Sequence, residues 1–200
     1  MSNISMTTSK RNAIVTVMLI SAFVSMLNQT ILNTALPAII KGLNITETTA
    51  QWLITGFMLV NGIMIPLTAF LMDKYSTRHL YIFSMAIFLL GSIVAAFSPT
   101  FSILMISRII QAIGAGILLP LMQFTVFTLF PAEQRGFAMG LAGVVVQSAP
   151  AIGPTLTGLF VDLFSWRMPF YLVSAIAAVV FILGFFFVEN NTKTKDIVLD

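Results

Sequence analysis

Arg108 lies inside an apolar run that extends from Phe101 to Thr125, and Gln111 follows it one helical turn later. A guanidinium in apolar surroundings supplies a fixed positive charge and a fork of donors, while an amide supplies a donor and an acceptor. An arginine at the centre of a membrane helix costs on the order of 3 kcal/mol on insertion scales, so it is kept where it faces a wet cavity or a partner. The alternative is snorkelling, in which the long stem carries the charge to the nearer interface. Gln111 sits deeper on the same face, which favours a lined cavity. A second polar set, Ser21, Ser25, Asn28, Gln29 and Asn33, recurs at intervals of three or four residues, and so shares one side of a helix. Such groups can be hydrogen-bonding glue between helices. Two adjacent primary amides, Asn28 and Gln29, exceed what glue needs and favour a water-lined pathway. Gln147 is the polar side chain of a later apolar segment placed to reach the same cavity.

Catalytic chemistry has little to stand on. His79 is the single histidine and falls at the edge of a loop, and neither a G-x-S-x-G nor an H-E-x-x-H pattern occurs, which argues against a membrane-embedded hydrolase or zinc protease. Cysteine is absent, so disulfides and thiolate metal sites are excluded. No catalytic residue, metal ligand or cofactor is expected.

The elements that position these residues follow from composition. Hydrophobic residues make up 58% of the chain and charged residues 8%, against about 25% charged in a soluble domain. Most of that apolar surface must face lipid, and the net charge of +3 carries no message about nucleic acid. Runs long enough to cross about 30 Å of hydrocarbon fall at Ala13–Leu36, Thr49–Met72, Leu80–Phe97, Phe101–Phe130, Gly136–Phe160 and Met168–Val188. None alternates like a barrel strand, so each is expected to be a helix. The first run is too long for a signal peptide and lacks a clean cleavage site.

Basic residues set the orientation. With the N-terminus inside, Lys10, Arg11, Lys74, Arg78, Arg135, Lys193 and Lys195 lie on the inner side, and Lys41 and Arg167 on the outer. The positive-inside rule then places both termini in the cytoplasm. Residues 1–12 are expected to form a tail, residues 13–188 a six-helix bundle, and residues 189–200 a polar tail or the start of a linker. Asp73, Lys74 and Arg78 cluster in the short loop between the second and third spans. A carboxylate at a helix C-terminus opposes the helix dipole, so Asp73 calls for a compensating partner, unless it is simply a solvated loop charge. The fifth span is rich in small residues and prolines, including Gly140, Pro150, Gly153, Pro154 and Gly158, and reads as a packing hinge.

Four motifs in order resemble the major facilitator superfamily, and within it the fourteen-span drug:proton antiporters. Ala69 to Arg78 is similar to the loop G-x-x-x-D-R-x-G-R-R, keeping Asp73 and the basic positions 74 and 78 but carrying Ala69 and Ser76 for glycines and Thr77 for an arginine. Arg108 to Gly116 resembles R-x-x-Q-G-x-G-A-G, with Ala112 replacing one glycine. The segment from Gly140 through Gly153-Pro154 to Gly158 resembles the antiporter motif. Leu27 to Pro37 resembles the first-span signature L-D-x-T-x-x-N-x-A-L-P, and Trp166-Arg167 with Phe170-Tyr171 looks like the entry to span six.

The resemblance implies an all-α polytopic membrane protein whose six helices form one major facilitator bundle of two inverted three-helix repeats. It further implies that Asp73, Lys74 and Arg78 latch one conformation and that Arg108 lines the central path. The fifth span would then flex against a second bundle. Since family members carry twelve or fourteen spans, the chain is expected to be the first half of a carrier. Its partners would be the lipid bilayer, a small-molecule substrate, and protons through the remainder of the carrier, and its location the plasma membrane.

One departure matters most. The family places an aspartate where this chain has Asn28, and asparagine cannot titrate; Glu47, Asp73, Glu133, Asp162 and Glu189 all fall at span edges or loops. Proton coupling must then come from elsewhere or be weak. The leading expectation is efflux of drugs or small molecules by alternating access. The alternatives are a facilitator of a small polar or anionic solute, favoured by a lone positive charge, and a non-transporting truncated product.

Overall fold

A computed structural model describes residues 7–188 of the chain. Each apolar run forms one helix, giving α1 (Thr8–Leu43), α2 (Glu47–Lys74), α3 (Thr77–Ala96), α4 (Phe101–Leu129), α5 (Ala132–Leu163) and α6 (Met168–Phe187). All six are long and apolar enough to cross a membrane. The described residues contain no strand. The expected segment 189–200, with Lys193, Lys195 and Glu189, lies outside the described residues.

Several helices outrun the hydrophobic stretches that mark them. α1 starts at Thr8, so Lys10 and Arg11 belong to its first turns, and it continues through Pro37 to Leu43. Proline removes one internal donor but does not stop a helix whose flanks are held by neighbours. The stop comes at Asn44, which takes a left-handed conformation with φ 51°, one that asparagine tolerates better than most residues. Side-chain caps start three of the other helices: Thr46, Ser76 and Thr100 accept from the backbone N–H groups of Thr49, His79 and Ile103.

Packing divides the helices into two interlocked triplets. α4 runs along α2 and α3, α1 runs along α5 and α6, and the triplets meet where α1 crosses α4 and α3 crosses α6. Exchanging α1–α3 for α4–α6 maps these pairs onto one another. Short loops join each helix to the next from α1 to α6, and this is the pattern expected of two inverted three-helix repeats.

Glycine makes the tightest of these approaches possible on α4. A Cβ on Gly114 would lie 2.5 Å from the Ser84 carbonyl oxygen of α3, and one on Gly116 would lie 2.5 Å from Met64 Cβ of α2. Pro120, on the same helix, cannot donate to the carbonyl of Gly116. The Thr68 hydroxyl from α2, bonded to Met64 O at 2.7 Å, also reaches that carbonyl at 3.3 Å. Tyr81 ties three helices together, with its hydroxyl 2.9 Å from Ser21 Oγ and donating to Val180 O at 3.1 Å. At the opposite end, Arg167 donates to Ser98 O at 2.9 Å and stacks on Trp166 at 4.1 Å. Large apolar side chains such as Leu59, Phe70, Val144 and Phe186 are left exposed, as a lipid-facing surface requires.

Overpacking a core site costs about 1–3 kcal/mol, whereas a hydroxyl bond between membrane helices averages about 0.6 kcal/mol. Gly114→Val should therefore lower the thermal midpoint of the purified full-length protein in detergent by several times more than Thr68→Val. Equal effects would contradict the close α3–α4 approach.

Candidate functional site

Arg108 is placed by the second turn of α4 and is buried to 1% exposure. Its Nη1 donates to Gln111 Oε1 at 2.7 Å. The two residues are three positions apart and therefore share a helix face. The bond points the guanidinium toward the middle of α4, so it does not snorkel to the nearer interface. Gln111 Nε2 passes the contact on, donating to Ser92 Oγ of α3 at 3.0 Å and to Asn28 Oδ1 of α1 at 3.5 Å. Phe57 of α2 covers the charge, with the guanidinium carbon 4.1 Å from its ring centroid. Four helices thus meet at one cation.

The local sequence explains why these side chains converge. Gly91, next to Ser92 on α3, leaves room for Gln111, because a Cβ there would lie 2.8 Å from Gln111 Cγ. Gly56 does the same beside Phe57, where a Cβ would collide with the Met105 methyl. The compensation is electrostatic and polarizable, since a charge-assisted hydrogen bond contributes about 1.5–3 kcal/mol and a desolvated cation–π contact about 2 kcal/mol. Two donors in the cluster, Arg108 Nε and Asn28 Nδ2, are buried without a partner. The described acids Glu47, Asp73, Glu133 and Asp162 are all exposed near helix ends, so none reaches the cation.

The other expected path residues separate. Gln29 lines a cavity of about 40 Å³ with Ser25, Phe57, Asn61 and Gly116, where α1, α2, α4 and α5 meet. Gln147 lines a groove of about 210 Å³ with Gln123, Met26, Met122 and Met139. Asn33 is exposed on α1 and lines neither. Ser21, at the start of the same stripe, bonds Val17 O and Tyr81 and serves as glue. The stripe therefore divides into packing and cavity-lining parts. Both spaces are smaller than the roughly 300–1,000 Å³ of a drug-sized site.

The loop cluster also differs from the sequence reading. Asp73 and Lys74 end α2 and Arg78 begins α3, so only Tyr75 and Ser76 form the connection. Arg78 donates to Phe185 O of α6 at 3.1 Å and stacks on the Phe185 ring. Asp73 is exposed and has no ion-pair partner among the described residues, which fits the solvated-charge alternative and not the expected compensating partner. On α5, Gly153 meets Thr30, whereas Cβ atoms at Gly140 and Gly158 would touch nothing. Pro150 and Pro154 are exposed. Most of this small-residue face is thus open.

Phe57, Asn61 and Ser92 were missed by sequence reasoning. Asn61, an amide in the middle of an apolar run, carried a usable signal, because such groups rarely go unpaired. Phe57 and Ser92 carried none, being ordinary residues for a membrane helix.

Residues 18–198 match the Major Facilitator Superfamily. Over 95% of its length the chain is 50% identical to the uncharacterized MFS-type transporter YcnB of Bacillus subtilis (strain 168), covering 40% of that protein. It is 40% identical over 88% of its length to the lincomycin resistance protein LmrB of the same organism, covering 37% of it. It is 35% identical over 74% of its length to the probable multidrug resistance protein EmrY of Escherichia coli (strain K12), covering 29% of it. The chain therefore spans well under half the length of these relatives.

Removing Gln111 takes the acceptor from a buried cation, and leaving a buried donor unsatisfied costs about 1–3 kcal/mol or more when it is charged. Gln111→Leu should destabilise the full-length protein far more than Ser92→Ala, as measured by thermal unfolding in detergent. A Gln111→Leu variant as stable as wild type would contradict the network.

Proposed function

Because this chain belongs to the Major Facilitator Superfamily, a family of membrane transporters, we propose that it supplies one six-helix wall of an efflux carrier for drugs or other small molecules. The carrier works by alternating access and sits in the plasma membrane with both ends of this unit in the cytoplasm. The observation that carries the reading is the buried Arg108 centre joining α1, α2, α3 and α4. The names of the resistance proteins LmrB and EmrY support drugs as the substrate class.

In this reading Arg108, Gln111 and Asn28 form the polar core of the path, with Gln29, Asn33 and Gln147 along its approaches. A substrate path between bundles needs a second wall, and the open faces holding Asn33 and Gln147 suit contact with one. Asp73, Lys74 and Arg78 act at the cytoplasmic end as a latch. The latch works through Arg78, whose grip on Phe185 joins the two triplets. The hinge residues Gly140, Pro150, Gly153, Pro154 and Gly158 let α5 move against the second wall. Any coupling to protons rests on groups outside these spans, because Asn28 cannot exchange one.

The test is transport of lincomycin and ethidium by the full-length protein in liposomes, with and without a proton gradient. Movement of at least one compound is expected, and Arg108→Ala should slow it at least tenfold with expression intact. Movement of neither would remove the efflux reading; an active Arg108→Ala carrier would remove the site. Asn28→Asp should make the rate vary with pH near neutrality. A pH-independent variant would mean that this position does not govern coupling.

A further inference from the structure

The side-chain amides of Gln29, Asn61, Gln123 and Gln147 form no hydrogen bond to a described residue, and the Asn61 oxygen is buried as well. Ser25 likewise forms none, whereas Ser21, Thr30, Ser92 and Thr125 each bond the carbonyl four residues back. Unpaired polar groups within an apolar bundle are costly, so they are kept where another polar group can reach them. These five side chains share two adjoining spaces. Ser25, Gln29 and Asn61 line the cavity of about 40 Å³, while Gln123 and Gln147 line the groove of about 210 Å³. Met26, Leu119 and Val146 belong to the walls of both, so cavity and groove border one another across three side chains. Methionines from three helices, Met26 of α1, Met122 of α4 and Met139 of α5, line the groove. Thioether side chains adapt to irregular shapes and make favourable contacts with ring edges.

Charge narrows the choice of ligand. Every polar side chain lining the two spaces is neutral, and the described acids lie exposed near helix ends, so a cation would enter without a counter-charge. Arg108 lines neither space; it is bonded to Gln111 and lies against Phe57, so an anion gains no ion pair there. We propose that groove and cavity together bind an uncharged, ring-bearing small molecule with a hydroxyl or carboxamide at one end. The ring packs on the three methionines, and the polar end meets Ser25, Gln29 and Asn61. A hydroxyl or carboxamide both donates and accepts, as do those three side chains, so each finds a partner. An ammonium lacks the acceptor and a carboxylate lacks the donor. This substrate class rests on the path proposed above, to which Gln29 and Gln147 already belong.

Equilibrium binding of benzamide, benzylammonium and benzoate to the purified full-length protein in detergent tests this, because the three differ mainly in charge. Benzamide should bind saturably and roughly tenfold more tightly than either ion, whose charge would be left unpaired. Gly143 lines the groove, and a Cβ there would touch nothing. Gly143→Trp should therefore fill the groove and abolish benzamide binding while the thermal midpoint stays unchanged. Asn61→Asp should reverse the preference, raising benzylammonium affinity roughly tenfold by supplying the missing counter-charge. Such a gain cannot come from a misfolded protein. Wild type that binds benzylammonium as tightly as benzamide, or binds no benzamide, overturns the proposal, as does an Asn61→Asp variant with no gain for benzylammonium. Absence of benzamide binding together with a lowered midpoint in Gly143→Trp would instead assign the groove to contact with the second wall of the carrier. Binding and transport separate the two readings. Benzamide preference in a protein that moves neither lincomycin nor ethidium removes efflux alone, and efflux with an ammonium preference removes the substrate class alone.

Discussion

Keeping one guanidinium charged in the middle of a greasy bundle is the constraint around which the rest of the molecule is arranged. Placing Arg108 there costs on the order of 3 kcal/mol. A charge-assisted bond to Gln111 and a ring face from Phe57, each about 2 kcal/mol, offset that to within a few kcal/mol. The compensation works only if α1, α2 and α3 are all held against α4. Glycines at 56, 91, 114 and 116 meet that demand by letting helices or side chains approach at distances that a Cβ would forbid. Charge and close packing are therefore one requirement seen from two sides.

The inverted arrangement of the two three-helix repeats, α1–α3 and α4–α6, gives the centre its surroundings. α1 and α4 cross at the heart of the bundle, and each carries part of the polar network, Asn28 on one and Arg108 with Gln111 on the other. Tyr81 with Ser21 and Val180 closes one end, and Arg167 with Ser98 and Trp166 closes the other. The helix contacts that hold the two triplets together thus bracket the buried charge. The face of α5 bearing Gly140, Gly158 and the two prolines has no neighbour among the described residues.

Much of this was legible in the sequence, and the failures have physical causes. Six helices and the Arg108–Gln111 pair could be read from hydropathy and from three-residue spacing. Helix ends could not, because α1 runs through Pro37 and the polar ends of α2 and α5 are helical without being apolar. The polar stripe on α1 was visible as a stripe, but periodicity cannot say which member meets Tyr81, which meets Gln111 and which is exposed. That depends on how neighbours cross. Phe57 and Ser92 were invisible for the same reason, since their roles come from tertiary contact with a residue on another helix. Ser76, an exchanged motif glycine, keeps its position useful by capping α3 and pairing with His79 Nδ1 at 2.7 Å.

The central claim is that the covered cation lies on a path that opens. This chain has no cysteine of its own, so the introduced thiol of Phe57→Cys reports on a position that lies against Arg108. A negatively charged, membrane-impermeant thiosulfonate should modify it from at least one side of the membrane, at a rate that changes when a transported compound is present. If the thiol stays unreactive from both sides, with and without that compound, while Asn33→Cys reacts, then Arg108 is a static structural charge and the account is wrong.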